Sequence, residues 1–297
     1  MIDRPETEVV ARLRRPGASP PEPRIDAERR ALEFAESFRR NVDSPEDRTR
    51  LEQVHILVEK AAAEHVGLGS GTQLAMAVGR ALAAFIGKSD MPAEELARRV
   101  GRGCRSAIGV HGFQLGGFIV EGGKTDVSQV SPLIARLNFP SDWHFVLIIP
   151  TDTKGLHGPA EHEAFDGLTS IPPSMTADLC RLTMLGMLPA IAERNFQAFS
   201  ESLVEFGRKV GECFAAHQGG TYASPLAGAV VDLLLQHGIR GITQSSWGPT
   251  LAACADSRFR AEWLSARLLD SLDPAQVRIT VAPANNLGAR VEIISAP

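Results

Sequence analysis

Hydrophobic and polar positions alternate at Val54, Ile56 and Val58, which predicts a strand from Val54 to Ala61. Glu8 to Leu13 is short and apolar-leaning and reads as an earlier strand. A loop with four prolines, RRPGASPPEPR, leads to a helix from Asp26 to Asn41. Ala27, Ala31, Leu32 and Phe34 carry its apolar spacing, and Asp26 can cap it. After the Val54 strand come Gly67, Gly69 and Gly71, then a helical stripe of Leu74, Val78, Leu82 and Phe85. A short helix follows from Ala93 to Val100. Gly101 to Lys124 is dense in glycine with β-type residues between, and reads as tight strands and turns. Trp143 to Pro150 is a buried strand. Helices are expected over Ser174 to Glu193, Phe196 to His217, Pro225 to His237 and Ser257 to Ser271. GIRGITQSSWGPT reads as a strand entering a glycine turn, and VRITVAP and ARVEII as closing strands. The pattern describes two α+β halves that meet near residues 125 to 150.

At 44% hydrophobic and 22% charged, the chain has the composition of an ordinary globular protein. The net charge of −4 with interspersed signs, and a single Tyr, give no footprint for nucleic acid. No apolar run approaches the about 18 residues that span a bilayer. The first residues, MIDRPETEVVARLRRPG, are charged from the third position, so no signal peptide is expected. Cys104, Cys180, Cys213 and Cys254 are widely spaced and read as free thiols in a reducing cytoplasm. There is no HExxH zinc pattern and no GxSxG elbow. Small-molecule substrates, with neither nucleic acid nor membrane as partner, are the expectation.

GLGSGT, residues 67 to 72, is the strongest local signal. Glycines between a strand and a helix let backbone N–H groups converge on an anion, and the helix dipole adds to the attraction. Gly67, Gly69, Ser70, Gly71 and Thr72 are therefore candidate phosphate ligands; a glycine turn without a ligand is the plainer reading. No GK[ST] closes the loop, so it is not a Walker A motif. Arg102, Arg105, His111 and Lys124 add cations among the next glycines, and Arg105 with Ser106 sits in their densest stretch. His111 reads equally well as a satisfied core histidine. In HGPAEHEAF, Glu161 is a candidate Mg²⁺ ligand, although acidic residues there also simply favour a helix start. Trp247 in QSSWGPT can wall an aromatic ligand or pack in the core.

GLGSGTQLA, GRGCRSAIGVHGFQLGGFIVEGGK, QSSWGPT, Asn286 to Ala289 and MIDRPETEV together resemble the β-ribofuranosylaminobenzene 5'-phosphate synthases, a branch of the GHMP kinase superfamily. Gly71-Thr72-Gln73 stands where kinases of that superfamily carry Ser-Ala-Ala. Trp247 and Pro249 stand in place of small residues in the third motif. The resemblance implies an α+β, two-domain architecture: a ribosomal-protein-like N-terminal half with a four- or five-stranded sheet (1–125) and a ferredoxin-like C-terminal half (126–297). It implies union of phosphoribosyl pyrophosphate with a para-substituted benzoate, release of carbon dioxide and pyrophosphate, and a place in tetrahydromethanopterin biosynthesis. Arg105, Ser106 and His111 are the implied catalytic residues, Trp247 the aromatic contact and Glu161 the ligand of Mg²⁺ or another divalent cation. A homodimer is a possible assembly. The resemblance also implies a strand ahead of MIDRPETEV, so Met1 is expected to be internal to a longer frame or to begin a shortened protein. An ATP-dependent small-molecule kinase and a non-catalytic member of the fold are the alternatives.

Overall fold

In the computed structural model, which describes residues 1–14, 23–126, 129–151 and 171–294, β1 (Glu8–Leu13) pairs antiparallel with β2 (Val54–Lys60). Val54 and Ile56 are buried, so the sequence alternation selects the core face. Helix α1 (Asp26–Arg40) lays Ala27, Ala31, Phe34, Ala35 and Phe38 on that core. Its cap differs from expectation: Ile25 holds the N-cap position, and the Glu28 carboxylate accepts from Arg24 N at 2.6 Å. Asp26 instead pairs with Arg29 at 2.8 Å. Helix α2 (Pro45–Glu52) escaped the periodicity because it buries only Leu51; Ser44 caps it. Helices α3 (Ser70–Phe85), α4 (Ala93–Arg99) and α5 (Ile108–Leu115) close the cluster with Leu74, Val78, Leu82, Leu96, Val110 and Phe113.

Helix α5 overturns the reading of Gly101 to Lys124 as strands and turns. Gly109 and Gly112 weaken helix propensity, and the β-type residues between them mimic a strand pattern. The helix forms because its N-terminus is neutralised: Glu121 accepts from the Ser106 hydroxyl at 2.7 Å and from Ala107 N. Only Phe118–Glu121 (β3) is strand, paired antiparallel with Leu133–Leu137 (β4), which the pattern did not reveal. Among the described residues the N-terminal half therefore holds two two-stranded ladders, not one four- or five-stranded sheet.

The C-terminal half is built on β5 (His144–Pro150), β6 (Ile242–Gln244), β7 (Leu251–Ala255) and β8 (Val277–Pro283). The sheet order is β6-β7-β5-β8, all antiparallel, with helices between β5 and β6 and between β7 and β8. This is the ferredoxin-like order. One face packs Val146, Ile148 and Ala253 on the helices Pro225–Gln236 and Arg258–Ser271. The other gathers Leu147, Ile149 and Ala282 around Val66. The apolar count missed one feature: Pro173–Ala192 is a 20-residue helix whose best window has a mean hydropathy of 1.2, enough by length and composition to cross a membrane. It carries Asp178, paired with Lys209 of the neighbouring helix Phe196–Gln218 at 2.7 Å.

The closing segment is a clasp where a strand was expected. Gly117 N donates to Asn285 O at 2.6 Å, and Ala289 N to Phe113 O at 2.7 Å. The Asn286 amide imitates a backbone partner: its oxygen accepts from Phe139 N at 2.8 Å and its nitrogen donates to Phe139 O at 2.9 Å. A Cβ on Gly116, whose φ is +60°, would lie 2.6 Å from Asn286 and Gly288 main-chain atoms. Isolated backbone bonds and the Asn286 side chain thus replace a ladder, and no period-2 pattern marks them. Asn286→Ala should lower stability by about 1–3 kcal/mol, the cost of two orphaned, partly buried backbone groups. The check is the urea midpoint at unchanged m-value.

Candidate active site

Gly69 is the N-cap of α3, with φ +68° and no side-chain cap. Thr72 N and Gln73 N turn back to Gly69 O at 3.0 and 3.1 Å. A Cβ on Gly69 would meet nothing within 4 Å, so this end of the helix is open. Such a terminus presents backbone N–H groups and partial positive charge to an anion. Gly67 does different work. A Cβ there would lie 2.7 Å from Ser245 O and 2.8 Å from Gly248 O. The Ser245 hydroxyl donates to Gly67 O at 2.6 Å, and Thr250 N to Val66 O at 3.3 Å. The two motifs, far apart in sequence, are thus in backbone contact, and Gly67 is the residue that permits it.

The Gly71-Thr72-Gln73 variation is explained by α5. Gln73 Nε2 donates to Gly109 O at 2.9 Å, and a Cβ on Gly109 would lie 2.9 Å from the Thr72 methyl. Thr72 is therefore placed as a packing residue. Ser106 is tied to Glu121, as above. His111 is 4% exposed; its Nε2 lies 2.8 Å from Ser131 O and its Nδ1 3.7 Å from Glu94. The ring is thus buried with Nε2 at a backbone carbonyl, the surroundings of a satisfied core histidine. Arg105 is exposed on the loop before α5. The Arg102 guanidinium lies 4.8 Å from the Phe34 ring centroid, and Lys124 donates to Cys104 O.

Trp247 is 4% exposed, with its ring 4.2 Å from Phe214 on the helix Phe196–Gln218. Its ring packs within the fold against Phe214, the core packing that the sequence left open beside a ligand-facing role. Glu161, with His157, His162 and Glu163, lies outside the described residues. Among the described residues no three His, Cys, Asp or Glu side chains cluster to hold a metal. Burial pushes the Cys254 thiol well above its ordinary range and raises that of Cys213, so neither is a ready thiolate. Sequence reading missed Arg30 and Glu64, an ion pair at 2.8 Å beside Gly71. Arg30 sits in an ordinary amphipathic helix, and nothing in its own sequence context marks it.

Residues 29–117 match the family model of the GHMP kinases N terminal domain. The chain is 34% identical over 241 residues to the β-ribofuranosylphenol 5'-phosphate synthase of Archaeoglobus fulgidus, covering 77% of this chain and 73% of that protein. This chain belongs to the β-ribofuranosylphenol 5'-phosphate synthase family. The synthase of that name from Methanothermobacter thermautotrophicus is 34% identical over 219 residues, 70% of this chain but 65% of that relative, just under two thirds of its length. A homoserine kinase from Cytophaga hutchinsonii superposes with a TM-score of 0.66 at 19% identity, over 97% of this chain and 88% of that one. That likeness shows the GHMP fold, α+β and two-domain.

In this family member the two loop glycines should respond differently to alanine. Gly69→Ala meets no atoms and costs only the strain of its left-handed backbone, about 1–2 kcal/mol. Gly67→Ala adds two backbone collisions to a similar strain and should cost clearly more, or prevent folding; chemical denaturation of both variants distinguishes them. Trp247→Ala should lower stability by about 3–5 kcal/mol, as expected for removing a buried aromatic ring. An unchanged melting temperature would contradict its packing role.

Proposed function

We propose that this chain joins phosphoribosyl pyrophosphate to a para-substituted benzoate, releasing carbon dioxide and pyrophosphate, in the cytoplasmic synthesis of tetrahydromethanopterin. Its similarity to relatives named for β-ribofuranosylphenol 5'-phosphate carries the reading. That name also favours 4-hydroxybenzoate as acceptor over 4-aminobenzoate, the acceptor suggested by the aminobenzene resemblance. The open α3 terminus beside the Ser245–Thr250 turn supports it physically.

In the proposed reaction the bond between the anomeric carbon and a pyrophosphate oxygen breaks, and its electron pair leaves with pyrophosphate. The ring carbon bearing the carboxylate bonds to the anomeric carbon. The ring–carboxylate bond then breaks, its electron pair restores aromaticity, and carbon dioxide departs. No nucleophilic side chain is required, which agrees with the raised thiols of Cys213 and Cys254. The chain's part is to stabilise departing charge and to align the two reactants. The N–H groups around Gly69, Ser70 and Gly71 are the proposed phosphate cradle, and Arg105, exposed on the loop before α5, is a proposed cation for the same substrate; Ser106 and Glu121 hold the Arg105 loop in place. The described residues do not provide a carboxylate cluster for Mg²⁺ or another divalent cation. We propose that such an ion enters with the pyrophosphate, because Mg²⁺ is commonly held by substrate phosphates and few protein ligands.

The test is incubation with phosphoribosyl pyrophosphate, Mg²⁺ and either benzoate. The expected outcome is ATP-independent formation of the ribosylated phenol or aniline 5'-phosphate, seen by mass, with carbon dioxide and pyrophosphate in equal amounts. Phosphoryl transfer from ATP to an alcohol or acid, with no carboxyl-derived carbon dioxide, would replace the reading by a kinase.

A further inference from the structure

Gly71 lies within α3, and its backbone does not require glycine: it is not among the residues with positive φ. Alanine would favour the helix there by about 1 kcal/mol. What glycine provides is space. A Cβ at this position would overlap Nη2 of Arg30, with Cζ at 3.4 Å. The guanidinium therefore lies against the first turn of α3, where the substrate phosphates are proposed to bind. Its other arm is fixed: Nη1 lies 2.8 Å from Glu64, and both side chains are 19% exposed. Arg30 reaches this place from α1 and Glu64 from the segment between β2 and α3, so two separate elements hold the fork. A planar guanidinium can keep one arm on a carboxylate while the other donates to a phosphoryl oxygen, in a fixed fork that the rotatable donors of an ammonium lack.

We propose that Arg30 is a further phosphate-binding residue of this site, donating through Nη2 to a phosphoryl oxygen of the substrate, and that Glu64 is the positioning residue which aligns it. The assignment rests on the synthase reading for the identity of the substrate. It also explains Gly71: the motif leaves out a side chain so that a cation from another element can occupy the helix start. The bound oxygen belongs either to the 5-phosphate or to the pyrophosphate of phosphoribosyl pyrophosphate. Ribose 5-phosphate and inorganic pyrophosphate, titrated separately, tell the two apart.

Calorimetric titration of phosphoribosyl pyrophosphate, ribose 5-phosphate and pyrophosphate into the wild-type chain, Arg30→Lys, Glu64→Gln and Gly71→Ala tests the assignment. Arg30→Lys and Gly71→Ala should each weaken phosphoribosyl pyrophosphate by about tenfold or more, the loss of one charge-assisted bond. Gly71→Ala should melt no lower than wild type, which separates the effect from unfolding. Glu64→Gln should weaken binding less, by about threefold, because the guanidinium remains but loses its alignment. Affinity for the benzoate should be unchanged in all three. Wild-type affinity in folded Arg30→Lys overturns the proposal, as does an equal loss for benzoate and phosphoribosyl pyrophosphate. Binding that follows the expected pattern without turnover of any benzoate overturns the reaction and leaves Arg30 as assigned. Normal turnover with an unchanged Michaelis constant in Arg30→Lys does the reverse. Failure of the wild-type chain to bind phosphoribosyl pyrophosphate overturns both.

Discussion

The backbone contact between Gly67 and the Ser245–Gly248 turn is the constraint on which the site depends. A Cβ at position 67 would fall inside van der Waals distance of two carbonyl oxygens, so there is no room for a side chain. Val66, beside it, is buried with Leu147, Ile149 and Ala282 on one face of the C-terminal sheet. The loop that begins α3 is therefore held by hydrophobic burial on one side and by the Ser245 hydroxyl and Thr250 amide on the other. Held at both points, the start of α3 can present its N–H groups without rearranging, and such preorganisation makes electrostatic stabilisation effective.

The two helix starts are satisfied differently. α5 has its N-terminus answered from within the chain by the Glu121 carboxylate. α3 begins on a left-handed glycine with no side-chain cap. Both have the same dipole, but at α5 an internal carboxylate already occupies the favourable position. Around α5, Ser106 donates to Glu121, and His111 is buried with Nε2 at Ser131 O. The departures from the kinase motifs follow similar logic. Gln73 and Thr72 join α3 to α5 at Gly109, and Trp247 fills the space between its turn and Phe214. The altered letters change how the walls of the site are braced.

Much of the fold was legible in the sequence, because burial of one face imposes a period on each element. The strands at Glu8 and Val54, the helices at Asp26, Ser70 and Ala93, and the later helices all carry that period. What escaped has no such mark. Helix α2 buries a single leucine, β7 is largely alanine, and α5 is interrupted by glycines whose purpose is close approach to other elements. GLGSGT could be read as a glycine-opened helix start because strand–glycine–helix is a local arrangement, specified by adjacent residues.

Local sequence therefore determined the elements, their amphipathic faces and the existence of a glycine-opened helix start. Only the tertiary structure decided which candidates meet there. It set Gly67 against Ser245, 178 positions away, buried Trp247 and His111, and brought Arg30 and Glu64 to Gly71. The physical reason is that a hydrophobic period fixes which face of an element is buried, whereas the partner of a charged or glycine position is set by docking between distant elements, and that leaves no periodic trace in the chain.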